Sequence, residues 1–281
     1  MNIERDYADF IGNAEYQTDT IDAWHVNAFL ATLYPGRPAL AEGDAIPPSA
    51  HWLYFRTITP LDKTGRDGHA ARGEFLPPID LPRRMWAGGR LTVTEPLRVG
   101  ESAEKTSTIE SIAAKQGRSG PLAIVTVRYD VTVGGEARLT EHHDIVYRED
   151  PKPGAPAPKP AEAPGGAERT VDIAPDPVLL FRYSALTFNS HRIHYDLDYV
   201  RNVEGYPGLV VHGPLIATWL IDLATEIRGA SPTHFDFRAV APSFGHEKLR
   251  ASARTDGDGA ELWAEGEAGD LRMKATARWG G

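Results

Sequence analysis

Cysteine is absent from all 281 residues, and disulfide frameworks, thiolate metal sites, redox dithiols and cysteine nucleophiles are excluded with it. Any chemistry must come from oxygen and nitrogen groups. The chain also lacks an uninterrupted apolar run of the roughly eighteen residues that a membrane-crossing helix needs. Its opening, MNIERDYADFIGNAEYQ, has neither a basic n-region with an apolar h-region nor the Arg-rich, acid-poor look of a transit peptide. The expected address is the cytoplasm. Basic charge is in deficit, with 30 Lys+Arg against 39 Asp+Glu and a formal net charge of -9. That balance repels phosphate backbones and anionic membranes, so neither nucleic acid nor a membrane is an expected partner.

Hydrophobic residues at 41% and charged residues at 25% are the composition of a chain that folds. The length suits two units of roughly 100 to 150 residues each. Between them lies Pro151 to Arg169, where six prolines fall within fourteen residues and no large apolar side chain occurs. Such a segment buries too little surface to offset its ordering entropy and reads as a linker. The expected division is 1–150, a linker at 151–169, and 170–281.

In the first unit, Asp19 or Thr20 can cap a helix whose Val26, Phe29, Leu30 and Leu33 form one buried stripe, ended by Pro35-Gly36. From Arg84 to Arg148 the apolar period becomes two, and Gly134-Gly135 between two such runs signals a hairpin. The second unit repeats the plan: a helix from about Pro214 to Ile227, then strand-like runs at Phe235–Val240, Leu249–Arg254, Glu261–Glu265 and Leu271–Trp279. One helix and four strands, twice, predict an α+β fold with an internal pseudo-dimer. Asp222 and Glu226, four apart, read as a solvated helix face.

Two segments of the second unit carry polar groups suited to chemistry. Asn189-Ser190-His191-Arg192-Ile193-His194 is an imidazole-rich turn able to hold a water and exchange its proton, although a solvent-facing loop that caps helices is the commoner reading of a His-rich turn. His212-Gly213-Pro214 opens a helix. Pro214 fits the first helical turn, and the Gly213 and Leu215 amides lie at its positive end, where an oxyanion would be held. On sequence physics alone a tight turn feeding a core helix, with His212 packed or capping, is the better-founded reading. Elsewhere, Arg83-Arg84 beside Trp86 and Gly88-Gly89 offer guanidinium groups for carboxylate or phosphate, or a strand entry with surface charge. Asp67-Gly68-His69 and Gly117-Arg118-Ser119-Gly120 read as turns. Metal binding is not expected, because His191 and His194 have no carboxylate set nearby in sequence and Glu141-His142-His143-Asp144 alternates across a strand.

At these segments the chain resembles the MaoC-like, or hydratase 2, hot-dog-fold enzymes, whose motif Asp-x-Asn-Pro-hydrophobic-His precedes the hot-dog helix. The corresponding residues are Asn189 to His194, with His212-Gly213 at the helix entry. The final His matches, and Asn189 replaces the Asp and cannot be a carboxylate base. The order of His51-Trp52, Asp67-Gly68-His69, Leu81 to Gly89, Gly117 to Gly120 and Phe181 to Leu215 is similar to a two-domain subgroup with an N-terminal FAS1-like dehydratase domain. That subgroup includes mesaconyl-C4-CoA and itaconyl-CoA hydratases and mitochondrial 3-hydroxyacyl-thioester dehydratases. The resemblance implies a double hot-dog fold of two curved antiparallel sheets, each wrapped on a helix, with a FAS1-like dehydratase domain at 1–150 and a MaoC-like catalytic domain at 170–281. It implies hydration of an α,β-unsaturated CoA thioester without a cofactor. His194 and Asn189 would hold the water, and the Gly213 amide would polarise the thioester carbonyl. Arg83, Arg84, Arg192 and His212 would bind substrate. A general 3-hydroxyacyl-thioester dehydratase, a non-catalytic acyl-thioester binder and a thioesterase are the other readings, and a homodimer is a plausible assembly.

Overall fold

The structure is a computed structural model, and it describes residues 6–71, 73–117, 120–149 and 161–280. Residues 151–160 of the expected linker and Arg118-Ser119 lie outside the described residues. From 161 onward the backbone is tied down: the Leu271 amide donates to Ala161 and the Ala163 amide to Gly269.

Ten strands form one antiparallel sheet: β1 Ala14–Thr20, β2 Arg83–Val93, β3 Ser102–Gly117, β4 Gly120–Val133, β5 Glu136–Arg148, β6 Arg169–Ile173, β7 His234–Ala239, β8 Leu249–Asp256, β9 Gly259–Gly266 and β10 Leu271–Arg278. The hairpin expected at Gly134-Gly135 joins β4 to β5, and both glycines have positive φ (58° and 84°), as a two-residue primed turn requires. The spatial order is β1-β3-β4-β5-β2-β7-β10-β9-β8-β6. Outward from the middle, β2-β5-β4-β3-β1 on one side matches β7-β10-β9-β8-β6 on the other. The two halves share one connectivity, the double hot-dog arrangement, but their sheets are continuous: β2 pairs with β7 from Gly88 opposite Arg238 to Thr92 opposite His234. Gly88 and Gly89 make this seam possible. A Cβ at 88 would lie 2.6 Å from the Phe237 carbonyl oxygen, and one at 89 would lie 2.8 Å from the Phe237 ring and the His142 oxygen. Their role is close approach rather than flexibility.

Among the described residues four α-helices accompany the sheet: α1 Ala23–Leu33, α2 Pro177–Leu186, α3 Leu197–Asn202 and α4 Gly213–Arg228. The cap of α1 is Asp22, whose Oδ1 accepts the His25 amide. Asp19, an expected cap, instead accepts the Phe55 amide. α4 ends at Gly229 in the left-handed conformation (φ 71°). It packs on β8, β9 and β10, and its Leu215, Ile216, Leu220, Ile221 and Leu223 share a core with Leu249, Leu262 and Met273. Each such large apolar side chain contributes roughly 1.5–3 kcal/mol. Buried alanines at 251, 253, 264, 275 and 277 keep the strand surface low enough for a helix to lie close.

The pseudo-dimer is unequal in its helices. α1 follows β1 as α2 follows β6, and these two counterparts pack together. The helix that precedes β7 is the 16-residue α4, whereas the counterpart before β2 is a 6-residue 3₁₀ turn, Pro48–Leu53. One long central helix therefore serves the molecule. Asp222 of α4 is not on a solvated face. It lines a cavity with Tyr34, Val171, Trp219 and Glu226, and its Oδ2 is buried without a partner among the described residues. Among the described residues no helix is long and apolar enough to cross a membrane.

Candidate active site

The imidazole-rich turn leaves the end of α2 through Phe188, a non-glycine residue at φ 52°, a conformation that surrounding contacts must hold. Asn189 anchors the turn with its backbone amide on the Ser184 carbonyl and its Oδ1 accepting the His191 amide at 3.0 Å. Its side-chain oxygen is thereby used, and Nδ2 is the group left for a ligand. His194 follows in a 3₁₀ turn, Arg192–His194, and is 6% exposed. Its Nδ1–H donates to the Val210 carbonyl at 2.7 Å, which fixes Nε2 as the lone-pair nitrogen.

The ring of His194 stacks on His212, with centroids 3.6 Å apart and planes 17° from parallel. His212 is 1% exposed, and its Nε2 pairs with the Ser184 hydroxyl at 2.8 Å. On the other side His191 meets His194 edge-on at 5.5 Å and lies 4.0 Å from His69, whose Nδ1 is 3.1 Å from Asp67 Oδ2. Four imidazoles thus form a column running from Asp67 to Ser184. Burial, then the neighbouring His191, push His194 down to about 3. Burial and then His69 do the same to His191, also to about 3, and burial holds His212 well below its ordinary value. His191, His194 and His212 are therefore neutral near pH 7, so His194 Nε2 is available as a proton acceptor.

Asp67 and His69 belong to the first half of the chain, where their sequence reads only as a turn. The fold docks that turn on the second half: the Arg192 amide donates to the Asp67 carbonyl at 2.8 Å and the Ser190 hydroxyl to the Gly68 carbonyl at 2.5 Å. Gly68 has φ 89°, and a Cβ there would lie 2.0 Å from the Ser190 oxygen, so only glycine fits. The carboxylate that sequence spacing did not place near His191 is supplied in this way. One donor atom each from Asp67, His69 and His191 lie within 4.8 Å of one another, a set with which a divalent cation is chemically compatible.

His212 gives way to Gly213 at the start of α4. The Gly213 amide has no acceptor among the described residues, and a Cβ at 213 would lie 3.6 Å from Trp86 Cε3. Trp86 in turn stands 4.6 Å from the His143 ring and 5.6 Å from Trp52. Beyond it lies a cavity of about 200 Å³ whose lining includes Trp52, Lys105, Tyr129, Glu141, His143 and Thr187.

The expected arginines separate. Arg83 is engaged by Glu204, through the carbonyl at 2.9 Å and the carboxylate at 3.4 Å, and reaches the Tyr206 hydroxyl. Arg192 is paired with Asp196 at 2.7 Å and lies over the Tyr199 ring. Arg84 has no ion pair among the described residues and makes only a long contact to the Ala70 carbonyl at 3.5 Å. The structure therefore brings His194, His212 and Gly213 together, leaves Arg84 open, and commits Arg83 and Arg192 to protein partners.

The profile of the hydroxyacyl-thioester dehydratase type 2 family matches residues 49–245. The chain belongs to this family. It is 45% identical to the mesaconyl-C(4)-CoA hydratase of Chloroflexus aurantiacus over 98% of this chain and 99% of that protein. A MaoC-like dehydratase from Phytophthora capsici shares the fold at TM-score 0.72 and 13% identity, covering 96% of this chain and 95% of that one. A Mycobacterium tuberculosis protein described as a double hotdog fold aligns at TM-score 0.55 and 14% identity, with 95% and 96% coverage. This family member is an acyl-thioester hydratase/dehydratase, a hydro-lyase, built on the double hot-dog α+β fold.

Proposed function

We propose that the protein hydrates the α,β double bond of a branched dicarboxylic acyl-CoA thioester of the mesaconyl-C4 type, with His194 as the acid–base group and the Gly213 amide as the oxyanion donor. The observation that carries this is the fixed tautomer of His194, a buried neutral imidazole stacked on the residue that opens α4. Nε2 takes a proton from water as the water oxygen bonds to the β-carbon. The π electrons move to the thioester oxygen, which the Gly213 N–H and the positive end of α4 stabilise as an enolate. The proton on Nε2 then passes to the α-carbon, so one water is consumed and the base is restored. Asn189 contributes by donating from Nδ2 to the water, since its oxygen is held by His191. General acid–base help is worth roughly 10²–10⁴-fold, and one oxyanion donor about 3 kcal/mol.

The dicarboxylic acyl group is supported by the 45% identity to mesaconyl-C(4)-CoA hydratase over nearly the whole of both chains. Arg84 is the group proposed to meet a CoA phosphate. A homodimer would cover the outer strands β1 and β6, and a sedimentation mass of two chains would establish it. The functional test is the ultraviolet absorbance of the conjugated enoyl thioester, followed with mesaconyl-C4-CoA and crotonyl-CoA alongside a free-thiol assay. Absorbance should fall without thiol release, faster for the dicarboxylate. Faster turnover of crotonyl-CoA would favour a general 3-hydroxyacyl-thioester dehydratase, thiol release a thioesterase, and binding without either an acyl-thioester carrier.

A further inference from the structure

We infer that the cavity beside Trp86, built on β3, β4 and β5 of the first half, is a seat for the distal carboxylate of the acyl group, with Lys105 as its cation. The cavity lies in the half whose central helix is reduced to the turn Pro48–Leu53. Its lining carries two cations without a carboxylate partner among the described residues, Lys105 and Arg56, and of these Arg56 is turned to the His25 ring. Glu141, 2% exposed, is already served: Trp52 Nε1 donates to Oε1 at 2.9 Å, His51 Nε2 lies 2.8 Å from Oε2, and His143 Nε2 is 2.7 Å from Oε1 but off the hydrogen-bond direction. The other nitrogen of His51 faces the Pro48 carbonyl at 2.5 Å. Both nitrogens of that ring are therefore engaged within the protein, and the Glu141 carboxylate is occupied by protein groups on both oxygens.

Lys105 has no such counterpart. Its ammonium donates to the Phe55 carbonyl at 3.2 Å and lies 5.2 and 5.3 Å from the Phe55 and Tyr129 rings, without an ion pair among the described residues. Burial pushes it down to about 8, against the opposing pull of Glu141, Glu15 and Asp19. A partly buried ammonium with no anion is costly, and a ligand carboxylate resolves that cost. Trp86, whose indole N–H is buried without an acceptor among the described residues, flanks the cavity through its ring contacts with Trp52 and His143. Trp86 touches the Gly213 position on one side and His143 on the other, so a thioester carbonyl at Gly213 directs a short acyl chain toward this cavity. About 200 Å³ admits a carboxylate with a methyl branch.

The inference rests on the proposed function for the position of the thioester and deepens it by assigning what reads the second carboxylate. Its test does not need turnover. Calorimetric binding of succinyl-CoA and butyryl-CoA, which differ in the terminal carboxylate and cannot be hydrated, is measured for the wild type, Lys105→Met and Lys105→Arg. The wild type should prefer succinyl-CoA, Lys105→Met should lose on the order of tenfold to a hundredfold of that preference, and Lys105→Arg should keep most of it. The preference should also weaken above pH 8 as Lys105 loses its proton, with Glu141, Glu15 and Asp19 the acidic groups acting on it and Arg56, His51 and His143 the other ionisable side chains of the cavity. Absence of a preference in the wild type, or a preference unchanged in Lys105→Met, overturns the seat. Failure of the enoyl absorbance assay with this preference intact would instead overturn the hydratase reading alone.

Discussion

The protonation state of the imidazole column gives a quantitative prediction. Moving His194 from its ordinary 6.5 down to about 3 corresponds to roughly 5 kcal/mol against the imidazolium, at about 1.4 kcal/mol per unit. With the ring 6% exposed, solvent screening relieves little of this. The perturbation is acid. An unshifted imidazole would be about 97% protonated at pH 5, and kcat/KM would fall about 30-fold from its neutral plateau. A base at about 3 stays neutral there, so kcat/KM for crotonyl-CoA should change less than twofold between pH 8 and pH 5. Crotonyl-CoA is the substrate of choice because it has no carboxylate to report on Lys105, and circular dichroism at each pH shows that the fold persists. A drop of about 30-fold with a midpoint near 6.5 would refute the argument that burial keeps His194 neutral.

Three further outcomes follow from the same geometry. Asn189→Asp keeps the oxygen that accepts the His191 amide and adds a negative charge beside the column, which favours imidazolium by about 1–3 units. An acid limb should then appear in kcat/KM between pH 4 and 6 where the wild type is flat, and superimposable profiles would contradict it. Gly213→Ala should fold normally, because its Cβ meets Trp86 only at 3.6 Å, yet lose about 10- to 100-fold in kcat/KM by blocking the approach to the amide. An unaltered rate would remove Gly213 from the mechanism. Burial, then Glu226, push Asp222 up to about 8 from 3.8, so its folded form binds a proton that the unfolded chain releases, and stability declines as pH rises from about 4 to about 8. Asp222→Asn should therefore raise Tm more at pH 9 than at pH 5, and an equal gain at both would show that desolvation of the carboxylate is not the cause.

What the sequence displayed, and what it concealed, divides along the reach of each interaction. Period-two runs and Gly134-Gly135 disclosed β4 and β5, and the stripe through Leu215 and Ile227 disclosed α4 to within a residue at either end, because these are local patterns. The alternation of Glu141 to Asp144 also held: Glu141 and His143 share the cavity, while Asp144 pairs with Arg90 on the other face. Asp22, rather than Asp19, caps α1 because β1 runs on through Thr20 and the helix begins only at Ala23, leaving the Asp19 carboxylate to accept the Phe55 amide. The Asp67-His69 turn looked like any Asp-Gly turn, and only docking against Ser190 and Arg192 makes it part of the column. Lys105 and Glu141 carry no motif, since the cavity they line arises from the shortening of a helix remote in sequence. The one signal in the sequence was inequality: a capped, striped 16-residue helix in the second half and only Pro47-Pro48 ahead of His51 in the first.

The central claim is that His194 moves the proton while other groups hold the thioester. His194→Ala, assayed for kcat with crotonyl-CoA and for Kd with butyryl-CoA, separates the two. The account predicts a kcat loss of about 10²–10⁴ with Kd within threefold of the wild type. Turnover retained within tenfold, or turnover and affinity lost in equal measure, would contradict it.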